Sequence, residues 1–209
     1  MSGLAAPALA LSARDLPAAP PQDHVLDQAE VLSRASRGEL SRRLAELQSE
    51  RVEASLITIS RLDYGLTLEG LGEQLLERWQ DAKPAQSASA LLLLLIDNQT
   101  KGSAVVASPA LQRQLPQELL LSTASTTMAL PLRQGDRYRQ ASLDAITRLD
   151  TVLRGGEDPG PPVEPEEIVP VSNIPTREET QSSNAFTWVI VLLVVGSVVP
   201  MVTWWIFSR

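Results

Sequence analysis

Three aspartates hold the positions from which this 209-residue chain could do carboxylate chemistry: Asp27, Asp97 and Asp136. Asp97 directly follows the apolar run ALLLLLI (90–96), and open α/β sheets place their ligand groups at that end of a strand. Each aspartate also has a structural use: a hydrogen-bonding anchor at chain entry for Asp27, a turn former for Asp97 and a helix N-cap for Asp136. Partners for catalysis are scarce. The sequence contains no Gly-x-Ser-x-Gly elbow, no phosphate-binding loop, no His-Glu-x-x-His pair and no cysteine. Its single histidine, His24, cannot supply a histidine-based metal cluster and reads as a surface or edge residue before the first strand. On the residues alone, structural uses outweigh catalytic ones.

The elements that must position these residues alternate between helix and strand. Ser36 followed by Glu39 reads as a capping box, with Leu40, Leu44 and Leu47 as the apolar stripe behind it. ASLITIS (54–60) is a short β-rich run, and Thr67 opens a second helix with Leu68, Leu71, Leu75 and Trp79 on one face. ALLLLLI is apolar on both faces, as a strand covered on both sides must be. DNQTKG (97–102) is turn chemistry leading to SAVVAS (103–108) as a hairpin partner. Two helices, roughly 110–129 and 137–154, close the pattern, with Gly155 and Gly156 ending the second. This pattern predicts an α/β fold: one domain, with a small mixed sheet and helices on both faces.

The C-terminal run FTWVIVLLVVGSVVPMVTWWIF (186–207) carries no charge and is long enough, at about 1.5 Å per residue, to cross a bilayer core. Trp188, Trp204 and Trp205 suit the two interfaces, and a membrane helix tolerates Pro200. The positive-inside tendency assigns Arg209 to the cytoplasmic or stromal face and the rest of the chain to the other side. At the opposite end, MSGLAAPALALSARDLPAAPP has a short apolar stretch and small-residue cleavage sites but no basic residue before Arg14. Residues 1–22 are therefore expected to be a signal-peptide remnant or a disordered arm, 23–154 the domain, 155–184 a linker and 185–207 the transmembrane helix.

Charge is distributed unevenly. Residues 14–154 hold 18 acidic and 16 basic side chains, whereas 155–184 hold seven acidic residues, one basic residue and six prolines. Most of the net charge of −7 thus lies in a segment too polar to pack, expected to be extended and mobile. Neither segment has a basic patch, which argues against nucleic-acid binding.

VLDQAEVLS (25–33), LITIS (56–60), the helix ending at Trp79, LLLLLIDNQTKGSAVV (91–106) and LRQGDRYRQASLDAI (132–146) together resemble a TPM domain. That family is named for a thylakoid lumen protein, a photosystem II repair protein and a nematode receptor modulator. RGGEDPGPP (154–162), TREET (176–180) and VVPM (198–201) are similar to the photosystem II repair members of plants and cyanobacteria. The resemblance implies a thylakoid membrane protein with its domain in the lumen, assisting photosystem II repair or assembly through contact with its subunits or assembly intermediates. It also implies an alternative, metal-dependent acid phosphatase activity, with Asp27, Asp97, Asn98 and Asp136 as oxygen ligands for Ca²⁺ or Mg²⁺. IDNQT (96–100) resembles the Asp-x-Asp-x-Thr loop of aspartyl-phosphate phosphatases, but Gln99 stands at the second aspartate and leaves no acid/base group there. Glu30 stands where many family members have glycine after Asp-x-Ala.

Overall fold

Apolar runs covered on both sides become the centre of the sheet. The computed structural model describes residues 11–82, 89–161 and 185–208. In it, β1 (Val25–Asp27), β2 (Val52–Ile59) and β3 (Ala90–Asp97) run parallel, and β4 (Gly102–Ala107) returns antiparallel beside β3. The pleat divides β2 and β3 between two cores. Leu56, Leu92, Leu94 and Ile96 face one way, toward α1 (Arg34–Glu46) and α5 (Tyr138–Leu153). Ile57, Ile59, Leu91, Leu93 and Leu95 face the other, toward α2 (Leu68–Asp81). The sheet is mixed, with helices on both faces, as the alternating pattern predicts.

Local chemistry explains where the helices begin and end. Thr67 caps α2 by accepting from the Gly70 N–H at 3.0 Å, and Leu68, Leu71, Leu75 and Trp79 are buried in line beneath it. Helix α5 ends in a Schellman motif: the Gly155 N–H reaches the Val152 carbonyl at 2.9 Å and the Gly156 N–H the Thr151 carbonyl at 2.8 Å. Gly155 has a φ of +82°, which lacks the Cβ penalty only for glycine.

Several expectations differ from the observed backbone. Helix α1 is capped by Ser33, whose hydroxyl accepts from the Ser36 N–H at 3.1 Å, one turn earlier than the Ser36/Glu39 box. Its Glu39 is free instead to pair with Arg139 of α5, 2.7 Å away. Asp136 does not cap α5. Its φ of +55° makes a left-handed turn, and its carboxylate pairs with Lys101 rather than with helix N–H groups. The helix expected over 110–129 is broken: a 3₁₀ turn at Pro109–Leu111, α3 (Gln117–Ser122), a π-helical turn at Thr123–Met128 and α4 (Ala129–Arg133). Pro116 restarts the chain before α3, and Pro131 cannot donate to the turn behind it.

Both margins of the domain reach further than expected. Residues 11–22, read above as part of a leader or arm, include Ala13 and Leu16 buried in the α2-side core. Arg78 of α2 donates to the Ala13 carbonyl at 2.5 Å and the Leu16 carbonyl at 2.6 Å, and the Trp79 indole to the Pro17 carbonyl at 2.9 Å. At the other margin, the Arg148 guanidinium grips both carboxylate oxygens of Asp158 at 2.7 Å. Of the two small-residue cleavage sites, Leu11-Ser12-Ala13 falls within this packed margin, while Ala8-Leu9-Ala10, the tether over 162–184 and the orienting Arg209 lie outside the described residues.

The chain divides into two compact units near residue 162. The second contains α6 (Ala185–Phe207), a single helix with Pro200 inside it. Thr187–Phe207 is long and apolar enough to cross a membrane, and none of that span is buried against protein. It is a candidate membrane span by length and composition.

Candidate functional site

Parallel pairing brings the ends of β1, β2 and β3 to one edge of the sheet, but the register separates their carboxylates. Asp27 lies beside Thr58, and Thr58 beside Ile96, whereas Asp97 lies beside Ile59. Paired residues share a face, so Asp27 and Asp97 leave opposite faces with β2 between them. Two strand spacings put their backbones roughly 10 Å apart.

Each carboxylate is then taken up locally. Asp27 accepts from the N–H groups of Val31 at 3.1 Å and Leu32 at 3.0 Å, and from the Thr58 hydroxyl at 2.5 Å. It ties the loop after β1 to β2. That loop keeps a left-handed residue at Glu30, with φ +53°, so glutamate here adopts a backbone angle that glycine favours. Asp97 is 3% exposed and folds over its own turn, accepting from the Gln99 N–H at 2.9 Å and the Thr100 hydroxyl at 2.7 Å.

Asn98 and Asp136 do come together, around a side chain that sequence reading passed over. The Lys101 ammonium lies 3.1 Å from Asn98 Oδ1 and 2.7 Å from Asp136 Oδ1, and it also donates to the Tyr138 hydroxyl. Tyr138 in turn donates to Asn98 Oδ1, and its ring centroid is 5.1 Å from the ammonium. The hydrogen bond to Asp136, followed by that to Tyr138, holds Lys101 above the ordinary lysine range. Signals for this cluster were present in DNQTKG and GDRYR, but the contact spans 37 residues of sequence.

These oxygens fit Ca²⁺ or Mg²⁺ poorly. Calcium takes six to eight oxygen ligands at about 2.3–2.6 Å, and magnesium near-octahedral geometry. Here a lysine ammonium sits among Asn98, Asp136 and Tyr138, while Asp27 and Asp97 diverge. Among the described residues, no group of three or more His, Cys, Asp or Glu side chains is placed to hold a metal ion. His24 is buried rather than on the surface. It has a φ of +58°, and its Nδ1 donates to the Ala54 carbonyl at 3.0 Å, which leaves Nε2 to accept from Gln48 at 3.2 Å.

The first unit is thus a three-layer α/β domain whose strand-edge carboxylates brace its own loops, on a chain that also carries a long apolar helix. The chain belongs to the TPM domain family, whose model matches residues 25–152. It is similar to chloroplastic UPF0603 proteins: 30% identical over 192 residues to one from Oryza sativa subsp. indica and 27% over 185 to one from Arabidopsis thaliana. Those alignments cover 90% and 87% of this chain but only 63% and 64% of the relatives, so the chain spans under two thirds of their length. The N-terminal domain of a protein from P. gingivalis, solved in solution by NMR, shares the fold. Its TM-score is 0.61 at 23% identity, covering 70% of this chain and 94% of that one.

Proposed function

We propose that this protein is a non-enzymatic, membrane-anchored accessory factor that assists photosystem II repair or assembly, its TPM domain lying on the lumenal side of the thylakoid membrane. The observation that carries this reading is the extent of the likeness to the chloroplastic relatives. It runs over 192 residues, well beyond the 25–152 domain, and so takes in chain outside the domain as well. The apolar span Thr187–Phe207 supports the anchor.

The site supports an accessory role better than a metal-dependent phosphatase. A phosphatase would need carboxylates converging on a metal and a nucleophilic water. Asp97 instead bonds its own turn, and Lys101 supplies the positive charge between Asn98 and Asp136.

Deleting the gene in a photosynthetic host should slow recovery of photosystem II activity after strong light, and restoring the full chain should reverse the defect. Equal recovery in mutant and parent overturns the assignment. Protease added to sealed thylakoids should leave the domain intact, and cleavage without detergent overturns the lumenal placement.

A further inference from the structure

At the edge of the sheet opposite β1, strand β4 has no further strand beside it among the described residues and lies at the mouth of a groove of about 520 Å³. One wall is α2, presenting Glu69 and Glu73; the other is α3, presenting Leu120 and Leu121; Val105 and Ala107 form part of the floor. The antiparallel register, with the Ser108 N–H bonded to the Leu91 carbonyl, turns Ala104 and Val106 toward β3. The backbone N–H and C=O groups of Val105 and Ala107 therefore point away from β3 into the groove, whose floor is deep at Val105, 5% exposed, and shallower at the half-buried Ala107. On the α2 side, Gly72 lets the helix lie close over Val106, where a Cβ would meet Cγ2 at 2.6 Å. This keeps the glutamates near the strand.

We infer that this groove binds an extended segment of a partner protein as a fifth strand on β4, and that the segment alternates basic and apolar residues. An exposed strand edge is a template for strand addition, with backbone bonds giving affinity and alternate side chains giving specificity. The pleat would send one row of the segment's side chains toward α2 and the other toward α3. Toward α2 they meet Glu69 and Glu73, exposed carboxylates with no ion pair of their own among the described residues. Residues four apart on a helix are about 6 Å apart, close to the roughly 6.6 Å between residues i and i+2 of a strand. Two lysines or arginines at i and i+2 match the two glutamates. Toward α3 the other row meets Leu120 and Leu121, the latter 50% exposed. The chain's own tether is a poor occupant, since its seven acidic residues would face the same glutamates. The inference holds whichever membrane carries the protein.

The probe is a fluorescein-labelled peptide, LKVKLKVK, titrated by anisotropy against the full chain in detergent micelles, with a sequence of the same composition but blocked lysines and leucines as control. Saturable binding of the alternating peptide, at least about tenfold weaker in the exposed double variant Glu69→Lys/Glu73→Lys and weakened by salt, is expected. Amide exchange should slow at Val105 and Ala107 on binding. Ala107→Pro, which removes an outward N–H from an edge strand, should reduce affinity with the melting temperature little changed. Absence of binding, equal binding of the blocked peptide, binding indifferent to the double variant, or binding without protection at Val105 and Ala107 would each overturn the proposal. Failure here leaves the photosystem II reading untouched, because that reading is tested in the host and this one in solution.

Discussion

Removing the Asp27 carboxylate would strand three donors at once: the N–H groups of Val31 and Leu32 and the hydroxyl of Thr58, a residue with no solvent exposure. Hydrogen bonds to a charged group contribute about 1.5–3 kcal/mol each, and water reaches part of this loop. Asp27→Ala should therefore lower stability by roughly 2–4 kcal/mol and Asp27→Asn by less, read from urea midpoints at pH 7. A loss below about 0.5 kcal/mol in Asp27→Ala would free this residue for another role. Three residues on, Glu30 adopts a φ of +53°, which costs a side-chain-bearing residue about 1–2 kcal/mol. Glycine removes that cost but gains freedom in the unfolded chain, so Glu30→Gly should stabilise by no more than about 1 kcal/mol. A lower thermal midpoint in that variant would mean the glutamate side chain itself holds the loop. Because Lys101 already neutralises Asp136, millimolar Ca²⁺ or a chelator should leave the melting temperature of the wild-type chain unchanged. A rise with Ca²⁺ would reinstate a metal site at this edge.

Helix α5 is joined to the π-helical turn and to the start of the linker by one guanidinium. Arg148 is 4% exposed; it donates to Ser122 Oγ at 3.1 Å and Thr127 Oγ1 at 2.9 Å, and makes a two-pronged bond to Asp158. The Arg148 hydrogen bond, above all, holds the Asp158 carboxyl below its ordinary value of 3.8. With the folded pKa depressed, the unfolded chain binds more protons in this range, so stability rises with pH. The contribution is fully present above about pH 4 and is lost as pH falls through the folded value. Asp158 is 38% exposed, so Asp158→Asn should cost only roughly 1–2 kcal/mol near neutrality, less than breaking a fully buried pair. Its difference from wild type in urea midpoint should shrink below pH 4; a difference constant down to pH 2.5 would assign the effect to packing. Such elements also mark what was legible in the sequence. β3 and α2 could be read directly, because an unbroken apolar run and an i, i+3, i+4 stripe each admit few arrangements. The cap of α1 could not, since only Ser36-x-x-Glu39 has the capping-box residues, whereas the cap that forms is the Ser33 hydroxyl on the Ser36 N–H. The π-turn and the Lys101 cluster escaped because their determinants, Arg148 and Tyr138, lie far along the chain. The carboxylates were found at the right sheet edge, but their divergence depends on register, which composition does not reveal.

For the whole chain, the decisive quantity is apolar surface with nothing to cover it. From Trp188 to Phe207 the residues of α6 are apolar or small apart from Ser197 and Thr203, so its large side chains lie all round the helix and no single stripe is set aside for packing on a partner. Burying a Val, Leu or Ile side chain is worth roughly 1.5–3 kcal/mol, and the span contains many of them. A one-faced protein interface would leave half of that surface in water, whereas a bilayer covers all of it. Within the helix, Pro200 withholds the N–H that Gly196 would accept, and Thr203 Oγ1 and Ser197 Oγ donate to the Val199 and Leu193 carbonyls. Hydroxyls that bond back to their own helix present no unsatisfied polar group to lipid. The full chain should therefore stay in the membrane pellet through alkaline carbonate, and a chain ending at residue 161 should move to the soluble fraction with the Arg148–Asp158 contact retained. Carbonate extraction of the full chain would make α6 a protein-binding helix instead. Persistence of the shortened chain in the pellet would show that the TPM domain holds the membrane by its own surface.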